Sequence, residues 1–351
     1  MAKGNQASSL SANMTDNCSF EEVDDLMVNL QLYIYVPIFV IGLVLNVAAL
    51  FVFCVLLRKW TESTIYMTSL TLMDLLLLIP LPFKMHATKH KWIIALQSLC
   101  SALENFYFVG IYGSIYTIMC IAVDRWVAIC FPFRAKQLRS PKAALVICVL
   151  VWLLVLAVIS PTIHRVRDTG GKGDFRCFHK FSDNGWSPPL IICLQLFGFL
   201  LPALVVIYCS VQTILALQQS GQHSPKSRAC VKIIYSCLSA FLVPFTLSHL
   251  GIFLQFLVHQ NVIKECASKT SVSLFIQIAM CLSNITCCLD AACYYFIAKE
   301  VRNPKDNIRL TEASRPHVGL KPTVWQQKEN SPTTCHTVHF YNGQSLSVNQ
   351  S

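Results

Sequence analysis

Charged residues are scarce in this sequence: they make up 13% of its 351 residues. A soluble domain of this size carries about 25%. With 54% hydrophobic residues and a mean hydropathy of +0.52, an ordinary water-soluble fold is excluded. Several other features are missing. Residues 1–30 are polar and acidic, so no cleavable leader is expected there. Strict apolar–polar alternation is lacking, which argues against the strands of a membrane barrel. No convincing internal repeat appears. Nor is there a metal-ligand spacing, a phosphate-cradling glycine loop or a nucleophile constellation, so an enzyme is not expected and no cofactor is implied by these residues.

What the sequence does have is long apolar runs. A helix needs about 20 mostly apolar residues to cross a bilayer, and seven stretches qualify: Leu32–Leu57, Thr64–Phe83, Leu96–Ile129, Ala143–Ile163, Leu190–Leu217, Cys230–Val258 and Val272–Ile297. The expected fold is all-α, a seven-helix membrane bundle over residues 31–298. Residues 1–30 form an extracellular N-terminus, and 299–351 form a cytoplasmic segment that ends in a polar, disordered tail.

Loop cations do not orient the bundle. The loops on one side hold nine and those on the other hold ten, a near tie under the positive-inside rule. The ends of the chain decide it. Lys299, Arg302, Lys305 and Arg309 follow span seven, whereas the N-terminus is acidic and carries two glycosylation sequons, at Asn13 and Asn17. The N-terminus is therefore expected outside, at the cell surface. Four of the 17 cysteines then belong to the outer side: Cys18, Cys100, Cys177 and Cys266. Four cysteines allow three pairings, and composition chooses none of them.

Intramembrane charges are costly and usually functional. Asp74 lies mid-span, with Ser114 and Asp290 available from spans three and seven, as expected for a buried polar network. Asp124 and Arg125 form an adjacent ion pair at the inner end of span three. Lys84 follows the run "LLLLIPLPF" near the outer end of span two. It either snorkels to the interface, pairs with Glu104, or faces a pocket and holds an anion. Phe106, Tyr107, Phe108, Phe245 and Phe256 are expected as apolar walls.

Asn46 in "GLVLNVAAL", Asp74 in "LTLMDLL", "CIAVDRWVAICFPF", Trp152, Pro202 and "CCLDAACYYF" mark six different spans. As a set they resemble the class A, rhodopsin-like G-protein-coupled receptors over about residues 30–305. The stretches "LPFKM", "CFHKFSDNGWS" and "HLGIFLQFLV" are similar to the branch that holds lysophosphatidylinositol, purinergic-type and other lipid-sensing receptors. The resemblance implies disulfides Cys100–Cys177 and Cys18–Cys266, an amphipathic eighth helix near Lys299–Arg302, and a sodium ion at Asp74, Ser114 and Asp290. It implies a ligand set of Lys84, Glu104, Tyr107, Phe108, Phe178, His179, Phe245, His249, Phe256 and Met280. It also implies a switch made of Asp124, Arg125, Asp290 and Tyr294. The implied partners are an anionic lysolipid, a heterotrimeric G protein, and arrestin once Ser331, Thr333, Thr334 or Thr337 is phosphorylated.

Two other readings share some of these features. A receptor for a nucleotide or small carboxylate would use the same basic outer face, and a transporter or scramblase would use the intramembrane charges. The sequence also departs from the family pattern: Leu247 stands at the usual proline of span six with Pro244 three residues earlier, Phe245 replaces the usual tryptophan, and Ala291 replaces the proline after Asp290. A proline bends a helix, so the bends of spans six and seven are expected to be moved or reduced.

Overall fold

The computed structural model describes residues 18, 20–57, 60–167, 175–178, 182–219 and 225–291. They all belong to the first of two units, Met1–Asn303; the second, Pro304–Ser351, lies outside the described residues. Asn13, Asn17, His179, Tyr294, the eighth helix and the tail phosphorylation sites also fall outside them.

Among the described residues seven helical segments are long and apolar enough to cross a membrane. Span one is α1 (Glu21–Phe51), and span two is α2 (Glu62–Leu78) followed by α3 (Leu81–Lys89). Span three is α4 (Gln97–Cys130), and α5 (Pro132–Leu138) lies in the loop that follows. Span four is α6 (Pro141–Val166), and span five is α7 (Pro188–Gln195) with α8 (Leu201–Gln219). Spans six and seven are α9 (Pro225–His259) and α10 (Cys266–Ser283).

Local signals set the helix starts. Thr61 caps α2 by accepting from the Thr64 amide at 3.3 Å, and Ser140 caps α6 by accepting from the Ala143 amide at 3.1 Å. Prolines occupy the first turns of α5, α6 and α7, where a missing amide costs nothing. The break between α2 and α3 falls at Ile79–Pro80. α1 begins at Glu21, ahead of the apolar run that opens at Leu32; Val23 and Met27 are four apart on one helical face and both are buried.

The missing prolines have two outcomes. α9 runs unbroken through Pro244, with the Ser248 hydroxyl donating to the Pro244 carbonyl and to the Ala279 carbonyl of α10, each at 3.0 Å. Span seven does break, but without a proline. α10 ends at Ser283, and helical backbone resumes over 286–291. Between them the amides of Asn284 and Ile285 bond three residues back, while the Asn284 side chain takes the Met280 carbonyl at 2.6 Å. An asparagine that competes for the i−4 carbonyl does what the proline would have done. Span five carries a π-helical stretch, Leu196–Leu200, where the Tyr116 hydroxyl donates to the Phe197 carbonyl at 2.8 Å.

α4 is the central post and packs against α2, α6 and α8. The α2–α4 contact is close because of glycine: a Cβ on Gly110 would meet the Leu77 amide nitrogen at 2.8 Å and the Met73 carbonyl oxygen at 2.9 Å. Backbone atoms cannot rotate away. Gly110→Ala is therefore expected to destabilise the purified protein by about 1–3 kcal/mol, read as a lower melting temperature. The apolar side chains of α6 such as Leu145, Val146 and Leu153 face outward, as helices in lipid require.

Candidate functional site

Lys84 sits one turn into α3, its amide bonded to the Pro80 carbonyl at 2.8 Å. Its side chain turns into the bundle. Nζ donates to the Tyr107 hydroxyl at 3.2 Å and lies over three rings: Tyr107 at 4.3 Å, Tyr35 at 5.3 Å and Phe178 at 5.8 Å from the centroids. Aromatic faces attract a cation but do not neutralise it. Among the described residues no carboxylate lies within ion-pair range of Lys84. An ammonium has three donors; Tyr107 takes one.

The expected alternative partner, Glu104, is engaged elsewhere. It is 5% exposed, its Oε1 accepts from the Phe178 amide at 3.1 Å, and its Oε2 lies 3.5 Å from Arg167 Nη1. That second distance is an ion pair rather than a close hydrogen bond, and Oε2 has no hydrogen-bond partner among the described residues. Arg167 also donates to the Ser101 hydroxyl. Glu104 thus fixes the second outer loop, which carries Phe178 at a left-handed φ of 64°, and so places one wall of the Lys84 box. Disulfides join Cys100 to Cys177 and Cys18 to Cys266, with Cα separations of 5.8 and 5.5 Å. Trp92 and Phe175 exchange backbone bonds of 2.7 and 2.9 Å beside the first of these. Cys100, Glu104 and Cys177 converge, yet the thiols are consumed by the disulfide, so this cluster is not a metal site.

Replacing Cys100 or Cys177 by Ser is expected to lower surface expression and ligand response together, because it frees Phe178. The same change at Cys18 or Cys266 has the milder effect, since it releases the start of α1 from the start of α10. Cell-surface labelling beside a dose–response curve checks this, and equal tolerance at all four positions contradicts it.

A second cluster lies on spans three, five and six. His249 and Gln195 exchange side-chain and backbone contacts of 3.2 and 2.9 Å. The imidazole stacks on Phe199 at 4.7 Å and meets Tyr112 edge-on at 6.2 Å. Phe245 is buried one turn away against Phe241. Phe108 packs edge-on to Tyr107, and Phe256 pairs with Phe253. Met280 contributes its carbonyl to Asn284, whose amide nitrogen also reaches the Tyr107 hydroxyl at 3.3 Å. Phe106 does not line the interior: it is 42% exposed and faces outward.

Below these clusters is a buried oxygen set. Ser114 donates to Asp74 Oδ1 at 3.2 Å, while Asp74 Oδ2 and Asn46 Oδ1 have no hydrogen-bond partner among the described residues. Asp290 is buried nearby, within electrostatic range of Asp74. At the inner end, both oxygens of Asp124 accept from Arg139, at 2.7 and 3.0 Å, and Arg139 also lies 3.8 Å from Glu62. The sequence points to Arg125 as the partner of Asp124; the structure puts Arg139 there. Arg125 reaches the Ser63 hydroxyl on α2. The hydrogen bond to Asp124 raises the pKa of the Arg139 guanidinium further, so the cationic half of this clamp stays charged at every physiological pH.

Tyr35, Asn284, Gln195 and Arg139 are the site residues that spacing did not single out; Arg167, expected with Lys89, Lys91, Arg165 and Arg176 as a cation at the outer entrance, is paired with Glu104. For one of them a signal was present: Gln195 is an isolated polar group inside the apolar run "LIICLQLFGFLL".

Residues 45–294 match the 7 transmembrane receptor (rhodopsin family). G-protein coupled receptor 55 of Homo sapiens is 40% identical over 320 residues, 89% of this chain and 98% of the relative. G-protein coupled receptor 35 of Homo sapiens is 35% identical over 280 residues, 78% and 85% of the two chains. Lysophosphatidic acid receptor 4 of Mus musculus is 30% identical over 320 residues, 88% and 86%. With the seven spans and their spaced motifs, these likenesses establish that the chain belongs to the rhodopsin family of seven-transmembrane receptors.

Proposed function

We propose that this chain is a plasma-membrane receptor, N-terminus outside, for an anionic lysophospholipid of the lysophosphatidylinositol kind. It activates heterotrimeric G proteins, foremost those of the Rho-activating class. The observation that carries the ligand reading is Lys84: a cation turned into the bundle, boxed by aromatic rings, with two donors to spare and no carboxylate in range. A lysolipid phosphate supplies the missing negative charge, and its acyl chain suits apolar walls. Lys89, Lys91, Arg165 and Arg176 add an attractive field at the outer face. The relative whose name specifies lysophosphatidic acid, at 30% identity, supports the same ligand class.

Below the ligand, Asp74, Ser114 and Asp290 would offer an oxygen-only donor set that suits a hard cation. A sodium ion held there would stabilise the resting arrangement of spans two, three and seven. Glycosylation at Asn13 and Asn17 and arrestin recruitment by the phosphorylated tail complete the reading.

The test is a panel of lysophospholipids, nucleotides and small carboxylates applied to cells that carry the receptor and a Rho-linked reporter. Activation by anionic lysophospholipids alone supports the proposal. Activation by a nucleotide or carboxylate overturns the ligand, and solute flux in proteoliposomes without any reporter response overturns the receptor reading.

A further inference from the structure

The first and second outer loops meet at an antiparallel bridge between Trp92 and Phe175. These two residues exchange both backbone bonds, at 2.7 and 2.9 Å, so they are a hydrogen-bonded pair. The register then sets Lys91 opposite Arg176 at a position without such bonds. There the Cα atoms stand about 4.5 Å apart and side chains come closest. Side chains alternate along an extended ribbon. Trp92 is buried, its indole donating to His86 Nδ1 at 3.0 Å, and Cys177 is buried in its disulfide to Cys100. Lys91 and Arg176 take the other face and are exposed.

Like charges directly opposite one another across a ribbon are unfavourable. Among the described residues no carboxylate offsets this pair: the ion pairs there join Arg139 to Asp124 and Glu62, and Arg167 to Glu104. Nor are the two cations free to drift apart, because each adjoins a residue that is locked in place, Trp92 or Cys177. Further cations stand exposed nearby in the chain, Lys89 just before the bridge and Arg165 at the end of α6. The positive-inside rule does not account for cations on this side of the membrane.

We propose that the Lys91–Arg176 pair is a docking point for a sulfated glycosaminoglycan of the cell surface. A sulfate group set between them accepts from the guanidinium fork and from the ammonium, and removes the repulsion. The pair is open to solvent, where a single small anion gains little. A chain that presents one sulfate after another engages Lys91, Arg176 and their neighbours together and gains through multivalency. The pair is distinct from the Lys84 box, since Lys84 lies one turn into α3 and Lys91 lies past its end. The proposal rests on the outward orientation of this face given above, and not on the identity of the agonist.

The test is binding of the full-length receptor, in phosphatidylcholine nanodiscs, to immobilised heparin at about 0.15 M salt, where exposed charges are screened beyond about 8 Å. Lys91→Gln and Arg176→Gln are each expected to weaken binding about fivefold, and the double variant more than either. Lys91→Arg keeps the charge and is expected to retain binding, and so is Lys142→Gln at the opposite end of the bundle. Melting temperatures measured alongside show that the variants are folded, and an N-terminal tag detected on intact cells checks the orientation separately. Heparin stripped of its sulfates is expected to bind poorly. Unchanged binding by the double variant overturns the proposal, as does equal binding of desulfated heparin or of single-stranded DNA of the same charge. Binding that appears only after Asp174→Asn also overturns it, because the loop's own carboxylate then neutralises the pair.

Discussion

Lys84→Ala is expected to shift the response to an anionic lysophospholipid far to the right at unchanged surface level. The side chain loses its bond to Tyr107 and leaves the three-ring box without its cation. A buried hydrogen bond to a charged partner contributes about 1.5–3 kcal/mol. That corresponds to roughly a tenfold to more than a hundredfold loss of potency. Lys84→Arg retains part of the response: the charge survives, but a planar fork replaces a compact ammonium. A wild-type dose–response curve for Lys84→Ala would show that the anion binds elsewhere.

Arg125→Ala is expected to abolish G-protein activation while leaving surface expression largely intact. Arg125 reaches Ser63 across the inner ends of spans three and two, on the face where the family engages its transducer. Its neighbour Asp124 is already secured by Arg139 and Glu62 lies beside that pair, so deleting Arg125 does not strand a buried carboxylate. Nucleotide exchange on a purified G protein, together with surface labelling, measures both halves of the prediction. Normal exchange would remove Arg125 from the coupling machinery.

The span count, the motif spacing and the outer cysteines could be read directly from the sequence, because each is a property of one segment or one residue type. Pairings between distant residues could not. Asp124 and Arg125 are neighbours in the chain, yet a helix points successive side chains in different directions, and the loop after span three returns Arg139 to the carboxylate instead. Lys84 and Glu104 are of opposite charge near the same end of adjacent spans, but the second outer loop brings Arg167 and the Phe178 amide to Glu104 first. Ala291 in place of the usual proline implies a moved or reduced bend in span seven but not its new position; the structure forms it at Asn284, whose side-chain amide competes for a backbone carbonyl. Phe106 shows the limit of composition: it sits beside two aromatic residues that face inward, and helical geometry turns it outward.

The proposed recognition rests on a ligand phosphate that neutralises Lys84. The most direct measurement is nucleotide exchange on a Rho-activating G protein by purified receptor, comparing lysophosphatidylinositol with the monoacylglycerol that shares its chain but lacks the phosphate. Stimulation by the first and none by the second is expected, with stimulation weakened in Lys84→Ala. Equal stimulation by the phosphate-free lipid would contradict it.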